Sequence, residues 1–148
     1  DESYNICTDI GSGSGLPGIV IAIIMRIKKP GMKFHLYEKS FRKCEFLSSV
    51  KEKLDLNTEV YQKDIFKERN LETDLIITRA FKPLPIVLDL AEKNFKKFKS
   101  IIIFLEKIKK NILKKAMSNW SFTYKEKKSI TSSESKIIKI CNLKKNEK

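Results

Sequence analysis

Cysteine, histidine, tryptophan, proline and glycine are all scarce in this chain of 148 residues, at three, one, one, four and five copies. Each scarcity removes a class of protein. Cys7, Cys44 and Cys141 are odd in number and lack CxxC spacing, which excludes a disulfide framework and a cysteine-built zinc site. Free thiols of this kind fit a reducing cytoplasm. With His35 alone, a metal site of clustered histidines is excluded, so no metal is expected. A Ser-His-Asp triad would have to use His35, which alternation places inside a strand. The longest apolar run, Ile19 to Met25, is far shorter than the roughly 18 residues a membrane span needs. No secretory h-region opens the chain. There is no internal repeat and no low-complexity linker.

Acidic residues are scarce at one end only. Residues 1 to 92 hold 14 Lys and Arg against 14 Asp and Glu, whereas residues 93 to 148 hold 17 against 4. The net charge of +13 therefore belongs to the last third. A surface of that sign attracts nucleic acid or an anionic membrane, with salt-sensitive affinity. The competing explanation is compositional, because Lys outnumbers Arg by 27 to 4. Such a bias would raise Lys everywhere, yet the first two-thirds is neutral. Lys109, Lys110, Lys114 and Lys115 also have an ordinary reading as a solvated helix face.

What is present is enough for one globular domain, with 41% hydrophobic residues. It is expected over residues 1–143, with 144–148 as a frayed basic tail. The first residue is Asp1 and a glycine loop follows almost at once, so a preceding N-terminal segment is expected. Apolar periodicity predicts strands at 5–10, 33–37, 59–62, 74–78 and 100–105. Helices are predicted from Leu16 to Ile27, from the Ser40 N-cap to Leu54, from Pro83–Pro85 to Phe98, and over 109–117. Pro17 suits a first helical turn, where its missing N–H would be unpaired anyway. Two alternating strands, 120–125 and 136–141, flank the polar loop 131–133. Strands alternating with helices give an α/β fold, a mostly parallel sheet with helices on both faces. The last two strands, joined without a helix, form an antiparallel C-terminal pair.

In such a sheet, ligands bind beyond the carboxyl ends of the strands. Three features converge there. The stretch Asp9 to Gly18, DIGSGSGLPG, places Gly11, Gly13 and Gly15 in a tight strand-to-helix turn that a ligand can approach closely. Glu38 ends the second strand, where its carboxylate can accept hydrogen bonds from both hydroxyls of a ribose. Asp64 follows the third strand, where a loop can cover an adenine. These features point to a nucleoside cofactor. Gly13 to Gly18 also matches G-x-G-x-x-G, and Glu38 lies at the distance expected for an NAD ribose. Against NAD stand Asp9, whose charge suits the ammonium of a methionine moiety, the continued G-x-G-x-G, and the antiparallel pair. The cofactor is therefore read as S-adenosyl-L-methionine. Gly15 and Gly18 have a competing role in packing the first helix on the sheet, and Glu38 one as a helix cap. Arg79 has a competing role as a surface salt-bridge partner, but its place directly after the apolar LIIT, at the carboxyl end of a central strand, points it into the crevice.

DIGSGSGLPG, FHLYEKSFRKCEFL and LIITRAFKPL together resemble the bacterial RsmG (GidB) type of 16S ribosomal RNA guanine-N7 methyltransferase. The resemblance is strong to about Leu84 and weaker beyond, although Phe104 to Lys107 fits the fifth strand. It implies a Rossmann-like class I S-adenosylmethionine-dependent methyltransferase that methylates N7 of a guanosine in small-subunit rRNA. By the family pattern, Gly11 and Leu16 contact the cofactor, Ile65 and Phe66 flank its adenine, and Arg79 lies beside it. Asp9, Gly13, Glu38 and Asp64 complete the expected cofactor set. Arg79 and Lys107 are the candidates for orienting the base or its phosphates. The chain departs from the family in lacking its N-terminal helical region and in an insertion around Lys28 to Gly31. It departs further in Asp64 and Phe66, where a basic residue and a glutamate are usual, and in Ile108, where glycine is usual. The expected partner is small-subunit rRNA or an assembling small subunit, met by a cytoplasmic monomer. Two alternatives stay open on the residues alone: an NAD-dependent oxidoreductase, and a non-catalytic RNA-binding module of the same fold.

Overall fold

The computed structural model describes residues 4–105, 112–130, 132 and 134–146. Its strands are β1 (Ile6–Ile10), β2 (Lys33–Glu38), β3 (Thr58–Gln62), β4 (Leu71–Glu72), β5 (Leu75–Arg79), β6 (Phe95–Lys97), β7 (Ser100–Leu105), β8 (Trp120–Lys128) and β9 (Lys136–Lys145). The helices are α1 (Gly18–Lys28), α2 (Phe41–Lys53), α3 (Leu84–Asn94) and α4 (Ile112–Met117), with one 3-10 turn over Ile65–Lys67.

Seven strands form one sheet in the order β3-β2-β1-β5-β7-β9-β8. The first five are parallel, and β9 runs antiparallel to both β7 and β8. Strand order reverses between β1 and β5, so their carboxyl ends open a crevice at that point. Two apolar layers hold the sheet. Cys7, Phe34, Leu36, Leu47 and Ile77 pack with α1 on one side. Ile10, Ile76, Leu88, Ile101, Ile138 and Trp120 pack with α3 on the other. The near-continuous apolar run of β7 follows from its central place, because a strand covered on both faces loses the alternation of a half-exposed one.

Helices α1 and α3 and strand β9 each differ at one end from the sequence expectation. Helix α1 begins at Gly18 rather than Leu16. Gly15 sits at φ +91° and turns the chain, and the Gly18 N–H is taken by the Asp9 carboxylate at 3.0 Å. Helix α3 stops at Asn94, four residues short of Phe98. The buried Asn94 amide donates to the carbonyls of Ile65 and Glu68, each at 2.7 Å. Phe95–Lys97 then pairs in parallel with Leu71–Glu72, forming a small second sheet. At the C-terminus, β9 runs on to Lys145, which pairs with Trp120. Lys144 and Lys145 are therefore strand residues rather than frayed tail. The lysine-rich helix is described from Ile112, and Lys109 and Lys110 lie outside the described residues.

Candidate cofactor and active site

The turn after β1 is built from three kinds of bond. The amides of Gly11 and Ser12 both donate to the Tyr37 carbonyl of β2, at 3.0 and 3.1 Å. The Ser12 hydroxyl donates to the Asp9 carbonyl at 3.1 Å. The Gly13 amide donates to Glu38 Oε2 at 3.0 Å. Gly11, Gly13 and Gly15 all have positive φ, at +72°, +57° and +91°, a conformation that side-chain-bearing residues rarely adopt.

These glycines and Gly18 divide by what surrounds them. A Cβ on Gly18 would meet Asp9 Oδ2 at 2.3 Å, and one on Gly15 would meet Ile19 at 2.6 Å. Both therefore pack the turn against its own core, as the competing reading held. A Cβ on Gly13 would meet only the Gly11 carbonyl oxygen, at 3.8 Å. Gly13 faces open space. A Cβ on Gly11 would strike the Phe81 ring at 2.2 Å, so that ring packs directly against the glycine.

Beside Gly11 and Gly13 lies a cleft of about 400 Å³ at the carboxyl ends of β1, β2, β3 and β5. It gathers Gly11, Gly13, Glu38, Asp64, Ile65, Phe66 and Arg79, seven residues singled out from sequence. Glu38 is buried, with Oε2 on the Gly13 amide and Oε1 accepting from the Ser40 amide at 2.9 Å. A carboxylate has about four acceptor positions, so each oxygen keeps one for a ribose hydroxyl. Asp64 caps the 3-10 turn by accepting from the Phe66 amide at 3.1 Å, which fixes Ile65 inside and Phe66 at the rim. Arg79 is exposed at the end of β5.

Asp9 and Leu16 do not line the cleft. Leu16 is 46% exposed on the turn. The Asp9 side chain is buried against the helix entry, and its Oδ1 has no hydrogen-bond partner among the described residues. Burial pushes its pKa up to about 7, against the smaller opposing effect of the Gly18 amide. Lys107 lies outside the described residues. His35 stands in β2 with its ring edge on Tyr61, centroids 5.4 Å apart, and burial lowers its pKa. Among the described residues no group of three His, Cys, Asp or Glu could hold a metal.

Sequence reasoning missed two parts of this site. The first is Phe81. Ala80 takes a left-handed φ of +47°, a sparsely populated conformation for a residue with a Cβ. The turn it makes lays Phe81 over Gly11 and stacks it on Phe66, centroids 5.7 Å apart and 20° from coplanar. The stretch LIITRAFKPL contains Phe81 but assigns it no role. The second is the rim. Lys39, Lys43, Lys63 and Lys82 surround the cleft together with Arg79. They come from the part of the chain whose charges cancel along the sequence, so counting by segment conceals them.

A glycine turn after the first strand, an acidic residue ending the second, and a parallel sheet closed by an antiparallel strand define a Rossmann-like class I methyltransferase fold. Solved structures share it. M. capricolum TrmK in complex with S-adenosyl-homocysteine has a TM-score of 0.66 at 15% identity, over 93% of this chain and 62% of that one. A mutant of MtNAS in complex with S-adenosylmethionine has a TM-score of 0.67 at 17% identity, over 93% and 54%. The chain belongs to the family of rRNA small subunit methyltransferase G, GidB, whose profile matches residues 1–141. It is 48% identical over 145 residues to ribosomal RNA small subunit methyltransferase G of Pelagibacter ubique, covering 98% of this chain and 68% of that protein. It is 31% identical over 132 residues to the protein of that name from Ruegeria sp., covering 89% and 64%. For the Caulobacter vibrioides protein the figures are 36% over 84 residues, 57% of this chain and 38% of that one. The chain thus spans about two thirds or less of the length of these relatives.

Proposed function

We propose that the protein transfers a methyl group from S-adenosyl-L-methionine to N7 of a guanosine in small-subunit rRNA. The observation that carries this reading is the convergence of Gly11, Gly13, Glu38, the Asp64–Phe66 turn and Arg79 on one cleft at the point where strand order reverses. Glu38 binds the ribose through its two remaining acceptor positions, and Ile65 and Phe66 flank the adenine. Gly11 and Gly13 admit the rest of the cofactor to close contact with the backbone. Asp9 supports the turn from outside the cleft by accepting from the Gly18 amide.

S-adenosyl-L-methionine supplies a methyl group already activated by its sulfonium. Guanine N7 offers a free lone pair and carries no proton, so the protein needs no general base there. Its task is to hold N7 in line with the methyl group at near-attack distance. Arg79 orients the base or its phosphates from the end of β5, and Lys107 is the second candidate for that role. The lysines of the rim attract the polyanion to the cleft mouth. The partner is protein-free rRNA or an assembling small subunit, met by a monomer in the cytoplasm.

Calorimetry with S-adenosyl-L-methionine and with NADH tests the cofactor, and only the first should bind. Transfer of a labelled methyl group to small-subunit rRNA, followed by nuclease digestion and mass spectrometry, should yield 7-methylguanosine. Absence of cofactor binding, or a methyl group on another atom, sinks the reading.

A further inference from the structure

A larger groove, about 920 Å³, adjoins the cofactor cleft. The two share Phe66, which lines both. Its floor is the outer face of α3, from Pro85 through Ile86, Asp89 and Leu90 to Lys93. At about 1.5 Å per residue that floor runs roughly 12 Å from the cleft. One bank is Phe66 and Arg69, and the other is formed by the start of β8 and the end of β9.

The groove is basic and its cations are held in place. Arg69 Nη1 donates to the carbonyls of Phe66 and Glu68, at 2.8 and 2.7 Å, which anchors the guanidinium at the mouth. Asp89 draws in two ammonium groups from opposite elements: Lys93 at 2.8 Å along the helix and Lys145 at 3.5 Å from β9. Lys145 also lies 5.4 Å from the centre of the Trp120 ring. Three cations thus face one carboxylate, leaving a positive excess. The side chains of Asn119 and Asn146 add neutral hydrogen-bonding groups, and Phe66 and Ile86, 37% and 42% exposed, add apolar surface. Fixed cations, amides and an exposed ring suit a single-stranded nucleic acid, whose phosphates are charged and whose bases stack.

We infer that this groove binds the single-stranded RNA flanking the target guanosine. The inference rests on the rRNA reading above and deepens it. Phe66 marks where the strand leaves the cleft, and Arg69, Lys93 and Lys145 meet its phosphates. The groove joins the lysine-rich last third to the neutral first two-thirds, because Lys145 and Arg69 stand on its opposite banks.

The test is binding of protein-free small-subunit rRNA as a function of salt, with cofactor affinity measured alongside. Each phosphate contact on a single strand contributes about 0.7 to the slope of log affinity against log salt. Arg69→Gln with Lys145→Gln should lower that slope by about 1.4, so that raising salt from 50 to 200 mM costs about sevenfold less affinity than in the wild type. Cofactor affinity should stay within about twofold, which also reports an intact fold. Asp89→Asn moves the other way: it frees positive charge, and RNA binding tightens. A merely structural Asp89 would weaken binding when replaced. If Arg69→Gln disturbs the fold, Lys145→Gln alone and Asp89→Asn decide the matter, the former lowering the slope by about 0.7. An unchanged slope, a weakened Asp89→Asn, or dependence on these residues for anionic vesicles but not for RNA overturns the groove while leaving the methyltransferase reading intact. If the wild type binds neither protein-free rRNA nor an assembling small subunit, both fall.

Discussion

Asp9→Asn should stabilise the fold at pH 8 and fail to do so at pH 5. Asp9 is buried, its Oδ1 has no partner among the described residues, and burial raises its pKa from 3.8 to about 7. The folded state therefore binds this proton more tightly than the unfolded chain does. Stability from the site is greatest in acid and falls by about 1.4 kcal/mol per pH unit as the pH rises from 3.8 to about 7. Above that range the charged carboxylate costs the fold about 4 kcal/mol. Asparagine removes the charge and can keep the oxygen that accepts from the Gly18 amide. It also places an N–H where Oδ1 now lacks a partner, at a cost of about 1–3 kcal/mol. The net expectation is a gain of about 1–3 kcal/mol at pH 8. Near pH 5, where the wild-type residue is protonated, the expectation is no gain or a small loss. Urea unfolding at the two pH values, with unchanged m-values, measures the difference directly. A variant that is equally destabilised at both pH values would show that Asp9 carries no desolvation penalty and would refute the reasoning.

Other expectations follow from contacts around the same turn. Gly18→Ala puts a methyl group 2.3 Å from Asp9 Oδ2 and 2.8 Å from Leu36; it should cost about 1–3 kcal/mol in urea unfolding, because neither neighbour can move without disturbing the core. Glu38→Gln replaces one acceptor oxygen by a donor and should weaken S-adenosyl-L-methionine at least about tenfold by calorimetry, since hydrogen bonds to charged groups contribute about 1.5–3 kcal/mol. Asn94→Ala removes both 2.7 Å bonds to the carbonyls of Ile65 and Glu68; faster hydrogen exchange should appear at the 3-10 turn while the β1 and β5 amides keep their protection.

Much of this protein was legible from residue order because the relevant forces are local. Apolar periodicity places the main strands and helices within a few residues, and the Asp9–Gly18 stretch identifies the turn without any tertiary information. What failed did so where a distant partner intervened. Helix α3 is periodic enough to reach Phe98, but Asn94 is claimed by carbonyls 26 and 29 residues away, and Phe95 finds a strand to pair with. Lys144 and Lys145 look like a charged tail until Trp120 and Ser121 become their strand partners. Phe81 carries no pattern of its own. Only the left-handed Ala80 brings it onto Gly11.

The sequence by itself determined the class of fold and the glycine turn, because strand and helix periods and the backbone freedom of glycine are properties of neighbouring residues. It also fixed the family, through short segments that stay contiguous. Tertiary structure decided which of the glycines line the cleft and which face core, since that depends on what packs opposite each one. It also decided where positive charge gathers. Charges that cancel along the first 92 residues separate in space, setting Lys39, Lys43, Lys63, Arg79 and Lys82 around one cleft. Coulomb forces act through distance in three dimensions, and position along the chain is a poor measure of that distance.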